Sequence, residues 1–400
     1  YAAYRATNAY QDKDGWYGIN IDKLRPLQSD NIETVNKGYA NLPGQWMPAL
    51  GFGAGFFDLM YAGDTDVYYS TFGDWKTDDK GNEIWNVYSP DAMNLSVNEK
   101  GAIDTYDFSF STNISDLLFL GATVSVTDLN YSMKTTYDEF FNGVGDLYLD
   151  NGLTTDGTGY SFNIGAIVRP VDFLRLGVAY NSSTWYKMTD YFFGEAGSHI
   201  EGYGENSKMN ATTPNDALGY DYKMRSPDRW IFSAAAILGQ MALISVDYEL
   251  TNYQNSRLYD SQGYAFESDN DLIRQDFGSG GLLKVGAEVK VTPQFSVRAG
   301  GAWSSSPVKV DANTQEIFTA GTIPNFTIDK GYDSYSVGLG YRFTPSFYVD
   351  LACVYKTHKE DAYLFANTYN TPGTIGGVES DAISLKTKTT QVALTFGYKF

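Results

Sequence analysis

The sequence predicts an all-β protein, a transmembrane antiparallel β-barrel of the bacterial outer membrane with long extracellular loops. Three observations predict it. Segments of about ten residues alternate strictly between apolar and polar side chains, aromatic residues close their apolar faces, and the connections between them are by turns very short and very long.

The alternation is clearest at the C-terminus, "QVALTFGYKF", where Val392, Leu394, Phe396, Tyr398 and Phe400 share one face and Gln391, Ala393, Thr395, Gly397 and Lys399 the other. "LLKVGAEVKV", "QFSVRAGGAW", "SYSVGLGYRF", "SFYVDLACVY" and "MALISVDYEL" follow the same rule. A soluble β-sandwich also alternates, but its strands typically run only 5 to 6 residues. About ten residues is the length that crosses a bilayer at a tilt, and the apolar faces here end in Tyr, Trp or Phe, as an aromatic girdle requires.

Strands are expected near 103–113, 116–131, 158–169, 172–190, 220–239, 241–256, 281–291, 294–306, 332–343, 346–358 and 386–400. The connections around Ser115, Pro170, Gln240, Pro293 and Pro345 are short, whereas those over 132–157, 191–219, 257–280, 307–331 and 359–385 are long. Tight periplasmic turns and long outer loops produce this sorting. The barrel domain is therefore assigned to residues 101–400. Eleven crossings make an odd number, so upward strands are expected ahead of residue 103. Residues 1–100 are read as an extracellular loop region, partly helical, with room for an N-terminal strand.

Composition narrows the function classes. The chain has 29 Lys and Arg against 48 Asp and Glu, a formal charge of −19, which argues against nucleic acid as a partner. No apolar run is long enough for a membrane helix. Two histidines, His199 and His358, and the single Cys353 give little material for a metal centre, haem or nucleophilic triad, so no catalytic residue, metal or cofactor is expected. The inward faces carry Arg169, Arg175, Asp247, Glu249, Lys284, Glu288, Lys290, Arg298, Arg342 and Asp350, whose mixed signs suit pairing across a polar lumen. Acidic stretches such as "DWKTDDKGNE" complete no calcium-loop spacing.

The segment "NLPGQWMPALGFGAGFFDLMY" is strongly apolar. Leu42, Trp46, Phe52, Phe56, Phe57 and Met60 are candidate ligand-groove residues. Pro48 and the glycines limit any helix here to a short one. The competing reading is that a large folded loop needs an apolar core of its own.

"SPDRWIFSAAAILGQMALISVDYELTNYQ", "LLKVGAEVKVTPQFSVRAGGAWSSSPV" and "DSYSVGLGYRFTPSFYVDLACVYKTH" resemble the later strand pairs of the FadL/TodX outer-membrane transporters of long-chain fatty acids and hydrocarbons. The marks are Pro227 with Trp230, the Ser305-Ser306-Pro307 strand exit and the terminal Phe400. The resemblance covers about 220–400 and extends plausibly from 103. It implies about fourteen strands, an N-terminal hatch, uptake of a hydrophobic ligand and lateral release through a gap in the wall. On that template the hatch and about three strands are expected to be missing. Phe396, Tyr398 and Phe400 resemble the signal read by the barrel insertion machinery. Outer-membrane lipid, a fatty-acid-like ligand and that machinery are the partners implied. Two other functions stay open: a general porin, and an anchor or shuttle in a secretion assembly with a protein partner on the extracellular loops.

Overall fold

The structure, a computed structural model, describes residues 46–59, 68–202, 207–213, 218–239, 241–312, 317, 325–366, 369–371, 374–375 and 380–399. One fifteen-stranded sheet dominates it. Its wall strands are β1 (Ala92–Ile114), β2 (Leu118–Phe141), β3 (Gly145–Val171), β4 (Leu174–Asn181), β5 (Trp185–Ile200), β6 (Leu218–Arg225), β7 (Arg229–Leu238), β8 (Ala242–Asn252), β9 (Ser279–Lys290), β10 (Phe295–Ser304), β11 (Phe326–Arg342), β12 (Phe347–Tyr363) and β13 (Ile383–Tyr398). Two shorter strands, Lys208–Thr212 and Arg257–Asp260, extend it. Every pairing is antiparallel and between near neighbours in sequence, an up-and-down meander. Among the described residues β1 and β13 pair on one side only.

β4 and β5 run along the same edge of β3, with Asn181 opposite Asn163 and Trp185 opposite Tyr160. Three residues, Ser182 to Thr184, therefore span two on β3, which is a β-bulge. β7 and β6 break beside it at Ser226 to Asp228, where Pro227 has no N–H for a ladder. The seam is stitched across: Ser226 N–H donates to the Thr184 carbonyl at 3.0 Å and Thr184 N–H to Ser226 Oγ at 2.8 Å. Each broken pair is thus one crossing, and the wall makes the eleven crossings that the alternation predicts.

The long outer loops are the main departure. Residues 132–157, expected as a loop, are strand: β2 and β3 pair without interruption from Leu118–Val168 to Phe141–Gly145. Three residues, with Gly143 at φ 70°, turn the chain. Above the bilayer neither face meets hydrocarbon, so the apolar alternation ends while Thr- and Tyr-rich sequence keeps the strand extended. β5, β11 and β12 also run past their expected ends, and β1 begins at Ala92, inside the region read as loop. At the opposite end three residues, Ser115 to Leu117, turn the chain, with Ser115 and Asp116 at φ 53° and 55° and Leu117 N–H donating to the Ile114 carbonyl at 3.1 Å.

The register places Ala242, Val289, Val297, Leu339, Leu351 and Leu394 side by side on one face. Val337 is 63% exposed and Leu394 57%, values that belong to a surface covered by lipid. Aromatic rings bound the band. Tyr341, Phe343 and Phe347 cluster at 4.7 and 5.6 Å on the periplasmic side. On the outer side Trp303 meets Tyr335 at 6.1 Å, Tyr180 meets Trp230 at 4.8 Å and Tyr160 meets Trp185 at 5.6 Å. Phe295 and Trp303 lie eight residues apart on β10. At roughly 3.3 Å per residue and a tilt near 40° that is a height of about 20 Å, close to an apolar band of about 25 Å.

The other face holds the charges. Arg298 donates to Glu288 at 2.8 Å and to Asp350 at 2.6 Å, while Glu249 pairs with Lys284 and, at 3.3 Å, with Arg229. Arg298 reaches Asp350 across an intervening strand. It can do so because Gly338 and Gly340 line the crossing on β11: a Cβ added at Gly340 would lie 2.4 Å from Asp350 Oδ1 and 3.1 Å from an Arg298 nitrogen.

Two outcomes follow from this register. Val337→Arg, midway between the girdles, is expected to cost about 2–4 kcal/mol in urea unfolding of the lipid-inserted protein, and Ser336→Arg on the lumen face much less; equal costs would refute the assignment of faces. Gly340→Val should push Arg298 off Asp350 and cost about 1–2 kcal/mol, since the pair is partly solvated. In a double-mutant cycle with Asp350→Asn the two losses should overlap rather than add.

Candidate functional site

Helix α1 (Trp46–Gly53) carries Pro48 in its first turn, where no intrahelical N–H is needed. It is seated against the upper part of β5: Ser198 Oγ donates to the Ala54 carbonyl at 2.5 Å, and Thr71 Oγ1 to the Gly55 carbonyl at 2.5 Å. Ser198 and Ala196 belong to the inward face of β5, so the helix lies over the inside of the wall at the barrel mouth. After it, Phe57–Leu59 pairs with Tyr68–Ser70 and a hairpin forms from Gly73–Thr77 and Glu83–Val87. The acidic "DWKTDDKGNE" is the turn of that hairpin. Asp78 accepts the Asn82 and Lys80 backbone N–H groups at 2.8 and 2.9 Å, and these bonds, with the Asn82 amide foremost, hold its carboxyl below the usual range.

The structure brings some of the predicted groove residues together and gives them a different part. Phe52 and Phe57 are 3% and 1% exposed, with ring centroids 5.9 Å apart, and lie in the interior of the folded loop rather than lining an open groove. The physical reason is that Leu50 and Ala54 are also buried there, at 0% each, so a core forms around the two rings. Phe56 is half-buried. Trp46 begins the helix, but its side chain, Leu42 and Met60 lie outside the described residues. A second cluster was not anticipated: Phe72 stacks on Phe141 at 4.6 Å, with Ile200 beside them. Phe141 ends β2 and Ile200 ends β5, positions that only the strand extensions bring to the mouth.

Above the upper girdle the inward face is polar but not charge-rich. Asp190 accepts from Thr155 at 2.7 Å and Tyr222 at 3.3 Å. Burial raises its carboxyl against those two hydrogen bonds, and burial, then the Asp190 charge, raises the Tyr222 phenol. On the outside of the same strands Tyr148 donates to Glu195 at 2.9 Å and is pushed up to about 12 by burial and then by that carboxylate. Both phenols are neutral donors at physiological pH.

Further down, the lumen face forms an open depression of about 560 Å³, lined by Asp247, Lys284, Glu288, Arg298 and Asp350 among small residues such as Gly286, Gly300 and Ser336. The predicted lumen residues Glu288 and Arg298 pair with each other there, and Lys284 pairs with Glu249. Arg169 pairs instead with Asp172 at the periplasmic turn, at 2.6 Å. On β13 Phe396 and Tyr398 are 67% and 64% exposed on the lipid side, opposite Val349 and Phe347, and Phe400 lies outside the described residues. An apolar mouth thus stands above a polar, ion-paired lumen within a lipid-facing wall.

The family model described as outer membrane protein transport protein (OMPP1/FadL/TodX) matches residues 110–400. Similar solved structures include a Pseudomonas aeruginosa FadL homologue, at 18% identity over 82% of this chain and 72% of that one with a TM-score of 0.48. The Ralstonia pickettii toluene transporter TbuX matches at 12% identity over 75% and 68%, with a TM-score of 0.45. The Pseudomonas putida toluene transporter TodX matches at 10% over 78% and 90%, with a TM-score of 0.35. No curated protein sequence matches the chain. The strand pairs from β2 to β13 all lie within the matched residues, and by that match the chain belongs to the OMPP1/FadL/TodX family of outer-membrane transporters of hydrophobic compounds.

Proposed function

We propose that the protein takes up a small hydrophobic molecule, a long-chain fatty acid or a monoaromatic hydrocarbon, through an apolar landing site at the mouth. The observation that carries this reading is the seat of helix α1 and its aromatic segment on the inward side of the wall extension. There an apolar solute leaving water would meet protein before it meets the lumen. Phe52 and Phe57 act as the support of that site, and Leu42, Trp46, Phe56 and Met60 are the side chains proposed to touch the ligand. Lateral release into the bilayer is the second part of the proposal. The Arg298 and Glu249 ion-pair groups make the downward path unfavourable for an apolar solute, because it would have to displace water from charged groups without replacing their hydrogen bonds.

Uptake of labelled oleate and of toluene by cells with equal amounts of inserted protein tests the reading. Trp46→Ala with Phe56→Ser should slow uptake of the true substrate at least tenfold, since contact with one large apolar side chain is worth roughly 1.5–3 kcal/mol. Unchanged uptake with a high ionic conductance would instead identify a general porin.

β13 is proposed to carry the assembly signal. Phe396→Ser with Tyr398→Ser should lower the amount of inserted barrel well below that of Val349→Ser with Leu351→Ser, which removes a similar apolar area on a middle strand. Equal assembly of the two would leave the terminal aromatics with no special part.

A further inference from the structure

We propose that the inner face of β6 above the girdle binds a quaternary ammonium group on the rings of Tyr220, Tyr222 and Phe266, with Asp190, Asp260 and Asp269 as its counter-charges. Tyr220 and Tyr222 stand two apart on β6, on the inward side shared with Asp190, the direct partner of Tyr220. Asp190 itself lies on β5 between Trp185 of the girdle and Ser198 under helix α1. The two tyrosine rings are 6.2 Å apart and 27° from parallel, and Phe266 continues the row from Tyr220 at 6.4 Å and 28°. Tyr220 is 52% exposed, so the row offers an open ring face and is not a packed core. The electron-rich face of such a ring attracts a cation.

The charge around the row has one sign. Asp190 is directly opposite Tyr220 and Asp260 directly opposite Tyr222, one carboxylate on each side of β6. Asp269 comes from the first turn of helix α2 (Glu267–Asp276). Burial, then the charges of Asp260 and Asp269, raise the Tyr220 phenol, and no basic group opposes them. Lys187, Lys223 and Arg225 occupy the alternate positions of β5 and β6 and so belong to the opposite face. Among the described residues none of the three carboxylates makes an ion pair. Asp190 accepts from the Thr155 and Tyr222 hydroxyls, and Asp260 from the Gly263 and Tyr264 N–H groups at 2.6 and 2.8 Å. These neutral donors leave the negative charge uncompensated.

Charge complementarity identifies the occupant. A carboxylate or phosphate would be repelled by all three acids. A metal ion needs several oxygens converging on one point, and among the described residues no such group is found. An alkylated ammonium needs neither. Its methyl groups lie on the rings, its charge is spread over them, and carboxylates at the sides of the row balance it without direct ligation. The site is separate from the seat of α1 and does not rest on the uptake reading.

The test uses the full chain in octyl glucoside, an uncharged detergent, and isothermal titration with choline and with dimethylbutanol, its neutral isostere with carbon in place of the charged nitrogen. Wild type should bind choline roughly tenfold more tightly than the isostere. Tyr220→Leu, which removes the ring face but keeps an apolar side chain, should weaken choline roughly three- to thirtyfold, whereas Tyr220→Phe should stay within about threefold. Asp190→Asn keeps an acceptor for Thr155 and Tyr222 and should weaken choline without changing the isostere. Asp104→Asn, which removes an equal charge from β1, should change neither. No binding of choline, equal binding of choline and its isostere, equal losses in Tyr220→Leu and Tyr220→Phe, or displacement of choline by millimolar calcium as readily as by millimolar tetramethylammonium would each overturn the proposal.

Discussion

Hydrocarbon offers backbone groups no hydrogen-bond partner, and the architecture of this protein answers to that constraint. Each unsatisfied N–H or C=O in the bilayer costs several kcal/mol, so between the girdles the wall strands pair residue by residue. At the two breaks beside the upper girdle, Ser182 to Thr184 and Ser226 to Asp228, serine hydroxyls and the flanking carbonyls take up the donors. The same requirement sorts the side chains. With the backbone committed to the ladder, only side chains remain to meet lipid on one side and water on the other.

The inner face shows how the charges are accommodated. Five of the ten predicted inward charges gather into two ion-pair groups rather than a diffuse polar lining. Arg298 gathers Glu288 and Asp350, Glu249 gathers Lys284 and Arg229, and glycines on β11 leave the space through which Arg298 passes. A lumen organised in this way is well suited to holding neighbouring strands together and poorly suited to an apolar solute. The aromatic core at the mouth, by contrast, is held by strand tops: Phe141 from β2, Ile200 from β5 and Ser198 beneath Ala54. The apolar core and the ion-paired scaffold are thus divided along the barrel axis.

This division also decides what could be read in the sequence. Between the girdles two solvents impose a period of two, so the crossings and the faces of Val337, Leu339, Lys284 and Arg298 were legible. Above the bilayer that pressure ends, and the strand character of 132–157 was not. The apolar segment around Phe52 stood out, yet whether Phe52 and Phe57 face a ligand or each other depends on how the loop is seated on wall residues more than a hundred positions away, such as Ser198. The outward facing of Lys187 was hidden for a different reason. Counting by twos from the lipid-facing Tyr180 puts Lys187 inside the barrel; the extra residue in the bulge turns it outward. A single bulge thus reverses the reading of every side chain beyond it.

The uninterrupted β2–β3 hairpin has a kinetic consequence. Its turn is three residues long, so closing it loses little chain entropy, and each later pair adds to a ladder already aligned. Hairpins of this type form in about 1–10 μs, much faster than pairings between distant segments. β2–β3 can therefore serve as the early template of the sheet, with β1 added along one edge and β4–β5 along the other. The β1–β2 hairpin, with an equally short turn at the periplasmic end, shares that advantage, so the two long hairpins built on β2 are the pairings whose closure costs the wall least.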